Sequence, residues 1–138
     1  IKPENILMEA EGRIRIIDFG LAHFEGSGGV TQVGAVVGTP WYMAPERISG
    51  NPATISSEIY AFGFTLFELL TNKRPFPGDT FAVILARDPI LLRELRPDAS
   101  VDVEILLADC LNKNPFNRPA SFDEVRLILE QSLSNSPP

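Results

Sequence analysis

Between Ile59 and Leu70 the apolar residues Ile59, Tyr60, Phe62, Phe64, Leu66, Phe67, Leu69 and Leu70 nearly encircle a helix. A helix that is apolar on every side has to be buried on every side, so the remainder of the chain must wrap around it. The run is interrupted by Thr65 and Glu68, and it is too short for a bilayer span, which takes about 20 residues. Gly63 in its middle costs about 1 kcal/mol relative to Ala and implies that another element approaches closely. Ser56 or Ser57 is placed to cap its start, and the stretch 72–78, with Pro75 and Pro77, ends it.

The flanks supply the wrapping. Ile6-Leu7-Met8 and Arg13 to Ile17 are short runs of β-formers separated by the polar turn Glu9 to Gly12, which predicts a two-stranded ribbon. Gly20 to Gly38 carries Gly26, Gly28, Gly29 and Gly34 without periodicity and reads as a long loop, a kind that tends to be functional or disordered. Thr80 to Ala86 is a short helix candidate. Val103, Leu106, Leu107, Cys110 and Leu111 repeat at helical spacing, as do Phe122, Val125, Ile128, Leu129 and Leu133. Ser121-Phe122-Asp123-Glu124 opens the second of these as a capping box with acids in the first turn.

The 138 residues are 44% hydrophobic and 22% charged, enough for one domain with a real core. Twelve Lys and Arg against eighteen Asp and Glu leave a formal charge of −6, so the clustered basic surface of a nucleic-acid binder is not expected. A single Cys110 in an apolar helical run reads as a buried, reduced thiol and fits the cytoplasm. No membrane segment and no signal-peptide pattern is visible in the chain.

Three motifs follow one another: Ile1-Lys2-Pro3-Glu4-Asn5, then Asp18-Phe19-Gly20, then Gly38-Thr39-Pro40-Trp41-Tyr42-Met43-Ala44-Pro45-Glu46. Alone, Asp18-Phe19-Gly20 is weak and could be a plain turn after a strand. The nine-residue block ending at Glu46 is far more specific. Together they resemble the eukaryotic-type (Hanks-type) Ser/Thr protein kinase catalytic domain: the end of the catalytic loop, the metal-binding motif and the substrate-docking loop. The resemblance runs from Ile1 to about Leu133 and is weakest from Pro77 to Ser100.

What the resemblance implies is chemical. Phosphoryl transfer from ATP concentrates negative charge on the triphosphate, and Mg²⁺ offsets it through hard oxygen ligands. In the family these come from a carboxylate and a carboxamide, and Asp18 and Asn5 match those positions. They stand 13 residues apart, joined by the ribbon that folds one back toward the other. A turn or cap role is the plain alternative for Asn5. Lys2 matches the lysine placed beside the transferred phosphate, and Thr39 the hydroxyl that orients it; a solvated amine and a loop hydroxyl are their ordinary counterparts. Both favour Ser/Thr over Tyr as acceptor.

Glu46 and Arg118 match a structural ion pair between the docking loop and a late helix. Ser27 and Thr31 are candidate phosphosites in the long loop, with Thr31 nearer the family's regulatory threonines and Ala35 at another commonly phosphorylated position. His23 has no assigned role.

Two departures qualify the match. The family signature H-R-D-x-x-x-x-N would put the catalytic Asp one residue ahead of Ile1, so the chain is expected to be truncated and inactive by itself. Glu58 also stands where the family has an Asp that holds the catalytic loop.

The expected fold is α+β: a mostly helical, kinase-like C-terminal lobe with a small β-ribbon at its N-terminus, cut off before the catalytic Asp. Residues 1–133 would be the partial kinase domain and 134–138 a polar, Pro-rich tail. The expected activity of the intact protein is transfer of the ATP γ-phosphoryl group to a protein Ser/Thr hydroxyl. Its partners would be ATP with Mg²⁺ and a protein substrate, and the alternative is a pseudokinase scaffold. The isolated chain is expected to expose apolar surface around Ile59–Leu70.

Overall fold

The computed structural model describes residues 1–17, 40–78 and 81–135. It opens with a 3-10 turn over Pro3–Asn5, which leads into strand β1 (Ile6–Met8). Strand β2 (Ile14–Ile16) returns antiparallel in the register Ile6↔Ile16, Leu7↔Arg15, Met8↔Ile14. Gly12, at φ +78°, takes the left-handed conformation that closes the connecting turn, and Glu9 accepts ion pairs from Arg13 and Arg15 across it.

A second 3-10 turn, Pro40–Tyr42, precedes the one-turn helix α1 (Pro45–Ile48). Helix α2 (Ile55–Thr71) is the longest element. It starts four residues before the apolar run, because Thr54 caps it. The Thr54 hydroxyl accepts from the Ser57 N–H at 3.1 Å, and the Ser57 hydroxyl accepts from the Thr54 N–H at 2.9 Å. Two orphan donors are thereby met reciprocally, and Ser57 is the partner of the cap rather than the cap itself. Asn72 ends the helix in the left-handed conformation (φ 55°), a turn Asn tolerates better than most residues.

Four further helices follow: α3 (Phe81–Ala86), α4 (Leu92–Leu95), α5 (Val101–Cys110) and α6 (Phe122–Ser134). Ser121 caps α6 by accepting from the Glu124 N–H at 3.2 Å, while Glu124 accepts from the Ala120 N–H at 2.8 Å.

The buried side chains form three clusters, and α2 contributes to each. Tyr60 and Phe64 pack with Tyr42, Phe76, Ile84 and Leu111; Ile59 packs with Leu106, Cys110 and Val125; Phe67 packs with Leu92 and Leu107. A helix apolar all round thus meets a different neighbour on each face. A Cβ on Gly63 would lie 2.5 Å from the Cys110 Cβ, so the glycine sets how closely α2 and α5 approach. Of the run Ile59–Leu70 only Leu69 is exposed; α4, α5, α6 and the segment before α2 pack against the other faces. Exposed apolar residues occur on the ribbon, at Leu7, Met8, Ile14 and Ile16, and also at Ile55 and Leu69 of α2, at Phe116 and at Leu133. Among the described residues no helix is long and apolar enough to cross a membrane.

Candidate active site

The front end of the chain is a tight turn built for position. Lys2 is extended (φ −146°, ψ 156°), and Pro3 presets the first residue of the 3-10 turn with no N–H to satisfy. The Asn5 N–H then donates to the Lys2 carbonyl at 3.0 Å. Lys2 and Asn5 therefore belong to one rigid loop, both half-buried.

The ribbon carries the chain back to the same place. Beyond the Ile6↔Ile16 pair, the Ile17 N–H donates to the Asn5 carbonyl at 2.8 Å, which extends the pairing one step past the strands. The residue preceding Asp18 is thus bonded to Asn5. Asp18 itself lies outside the described residues, as do Phe19, His23, Ser27, Thr31, Ala35 and Thr39.

The donor chemistry fits a magnesium ion shared with a nucleotide. An Asn carboxamide and an Asp carboxylate are hard oxygen donors, and Mg²⁺ commonly takes only one or two protein ligands alongside phosphates and water. Among the described residues no cluster of three or more His, Cys, Asp or Glu could cage a metal without such help.

Glu58 lies at the start of α2, beside the front turn. Its Oε2 is 3.9 Å from the Ile1 backbone nitrogen, beyond hydrogen-bonding reach, and its side chain is more than half exposed.

The second half of the site is the segment 40–48. Tyr42 is buried, and its hydroxyl donates to Glu68 Oε2 at 2.5 Å. Burial pushes the Tyr42 hydroxyl far above its ordinary range, and the bond to Glu68 and the charges of Glu68 and Glu4 push the same way. Trp41 stacks on Phe81, with the Arg74 guanidinium 4.4 Å from its ring centroid. The Tyr42–Glu68 bond was not foreseen from sequence; the polar Glu68 inside an apolar run was its only trace.

Behind this segment Arg118 and Glu46 form a bidentate pair, Nη1 to Oε1 at 2.6 Å and Nη2 to Oε2 at 2.8 Å. The Arg118 side chain is fully buried, and it also donates to the carbonyls of Asn112 at 2.8 Å and Ser56 at 3.1 Å. Burial alone would raise the Glu46 carboxyl, but the Arg118 hydrogen bonds, its own backbone bond and the Arg118 charge hold it below its ordinary value. The Tyr60 ring lies 5.0 Å from this guanidinium.

The front turn, the returning ribbon and the braced segment 40–48 are consistent with the comparison with known proteins. The family model described as "Protein kinase domain" matches residues 1–131. The chain belongs to that family. Similar curated proteins include the "Serine/threonine-protein kinase PknB" of Mycobacterium leprae, 35% identical, with 100% of this chain and 23% of that protein covered. The protein of the same name from Mycobacterium tuberculosis is 33% identical over 100% of this chain and 23% of its own length. The "Serine/threonine-protein kinases drp72" of Corynebacterium efficiens is 35% identical over 100% of this chain and 27% of its own. The chain spans about a quarter of the length of the curated relatives it matches.

Proposed function

We propose that this chain is the C-terminal-lobe portion of a Ser/Thr protein kinase, which in its full reading frame transfers the γ-phosphoryl group of Mg·ATP to a protein hydroxyl. The observation that carries this reading is the Ile17 N–H bond to the Asn5 carbonyl at 2.8 Å, which puts the residue next to Asp18 against Asn5. In this reading Asn5 and Asp18 hold the magnesium ion, and Lys2 and Thr39 organise the transferred phosphate. The Glu46–Arg118 pair is a structural brace that keeps the docking segment rigid, and Thr31 is a regulatory phosphosite. The bound metal would screen the triphosphate and its developing charge; the chain's own part is to hold two oxygen donors and one ammonium in register.

The 138 residues contain no Gly-rich nucleotide loop and no His-Arg-Asp triplet, so phosphoryl transfer needs sequence beyond them. An ATP-dependent reaction and the free thiol of Cys110 both suit a cytoplasmic location for this part of the protein. The pseudokinase reading has one sequence feature in its favour, Glu58 standing where the family has an Asp that holds the catalytic loop.

The test uses the protein encoded by the full reading frame, with radiolabelled ATP and phosphoamino-acid analysis of the product. Phosphoserine or phosphothreonine should form, and Asp18→Ala should abolish it. Near-normal turnover by Asp18→Ala with Mg²⁺, or no transfer by the unmodified protein, would overturn the proposal.

A further inference from the structure

We propose that Thr65, in the middle of α2, is a positioning residue whose hydroxyl holds the Ile1–Lys2 peptide and through it the Lys2 side chain; this rests on the role of Lys2 proposed above. Thr65 is 2% exposed, and its Oγ1 donates to the Ile1 carbonyl at 3.1 Å, across 64 residues of sequence. The direction of that bond is the telling feature. A helical hydroxyl ordinarily donates to the carbonyl one turn earlier in its own helix. Among the described residues Thr71 does so to Phe67 at 2.8 Å and Ser134 to Glu130 at 3.0 Å, whereas Ser56, in the first turn of α2, donates to the Pro115 carbonyl at 3.0 Å. Thr65 donates out of α2 from the middle of the helix, to the carbonyl of the peptide that begins the front turn.

The geometry downstream of that carbonyl is stiff. Lys2 is followed by Pro3, and its own carbonyl accepts the Asn5 N–H at 3.0 Å. Pinning the Ile1 carbonyl therefore leaves the Lys2 backbone little freedom on either side, which directs the side chain. The neighbouring Glu58 stands at 3.9 Å from the Ile1 nitrogen and is largely solvated, so the buried Thr65 hydroxyl is the shorter tie from α2 to this turn. A hydroxyl inside an otherwise apolar helix face is thereby explained, since a Val of the same shape would fill the space equally well.

The test compares Thr65→Val, which keeps the shape and loses the donor, with Thr65→Ser, which keeps the donor, both in the protein from the full reading frame. Thr65→Val should lower kcat about five-fold, the size of one net hydrogen bond, with KM for ATP unchanged. Amide exchange at Asn5, whose N–H closes the front turn, should speed up by about the same factor. Thr65→Ser should restore both readouts. Wild-type kcat in Thr65→Val overturns the inference even if exchange rises, and so does a Thr65→Ser protein as impaired as Thr65→Val, which would mean packing alone. Lys2→Met separates the two levels: if it leaves turnover intact, the Lys2 role falls, while Asn5 exchange in Thr65→Val still decides whether the hydroxyl holds the turn.

Discussion

Replacing Arg118 by Ala removes a buried side chain with two bonds to one carboxylate and two strong bonds to backbone carbonyls. Glu46 Oε1 and Oε2 lose partners at 2.6 and 2.8 Å, and the carbonyls of Asn112 and Ser56 lose theirs at 2.8 and 3.1 Å. The carboxylate left behind is itself only 13% exposed. Stranding a buried charge in this way costs about 3–5 kcal/mol. At about 2–4 °C per kcal/mol for a domain of 150–250 residues, the melting temperature should fall by about 6–20 °C.

Arg118→Lys should recover little, because an ammonium can satisfy neither the bidentate geometry nor the Asn112 carbonyl at the same time. Removing both charges, as in Glu46→Leu with Arg118→Met, should recover more than half of the loss, since it is the unpaired charge that is costly. The pair also sets a pH signature. The Glu46 carboxyl is held below its ordinary value in the folded state, so its contribution is present above about pH 4.5 and is lost as the pH falls from there. Differential scanning calorimetry of the full-length protein reads all four proteins. An Arg118→Ala melting point within about 2 °C of wild type would refute the reasoning.

Other perturbations test separate links. Gly63→Ala gains about 1 kcal/mol of helix propensity, yet the new methyl would meet the Cys110 Cβ at 2.5 Å, and denaturant unfolding should show a net loss of about 1–2 kcal/mol. Burial drives the Cys110 thiol up to about 12, so iodoacetamide should leave it unmodified in the native protein and label it once the protein is unfolded. Burial, with the Arg118 charge beside it and against the pull of Asp88, brings the Lys113 ammonium down to about 8 from its ordinary 10.5. The unfolded chain then holds more protons between those values, so stability should rise with pH from about 8 to about 10.5, and Lys113→Met should flatten that rise.

Much of the architecture was legible because it depends on pattern. The β-formers flanking Glu9–Gly12 gave the ribbon, and a helix apolar all round demanded the three clusters that surround α2. Helix α4 was not read from the sequence: Leu92–Leu95 is a single turn between Pro89 and Pro97, too short for periodicity to register. The start of α2 was misplaced because Thr54, Ser56 and Ser57 are all good capping residues, and only the backbone decides which of them caps. In the site, Lys2 and Asn5 were visible as a motif, whereas the Thr65 tie to Ile1 spans 64 residues and the Tyr42 bond to Glu68 spans 26. Contacts of that range follow from how helices pack, which no local spacing encodes. The Glu46 and Arg118 assignment came from family resemblance, since nothing in the spacing of two residues 72 apart marks them as neighbours.

The most direct measurement is a crystal structure of the protein from the full reading frame with Mg²⁺ and a non-hydrolysable ATP analogue. The account predicts one magnesium ion with Asn5 Oδ1 and an Asp18 carboxylate oxygen each about 2.1 Å away, bridged to the phosphates. Side chains of Asn5 and Asp18 that point apart, with the ion bound by neither, would contradict it.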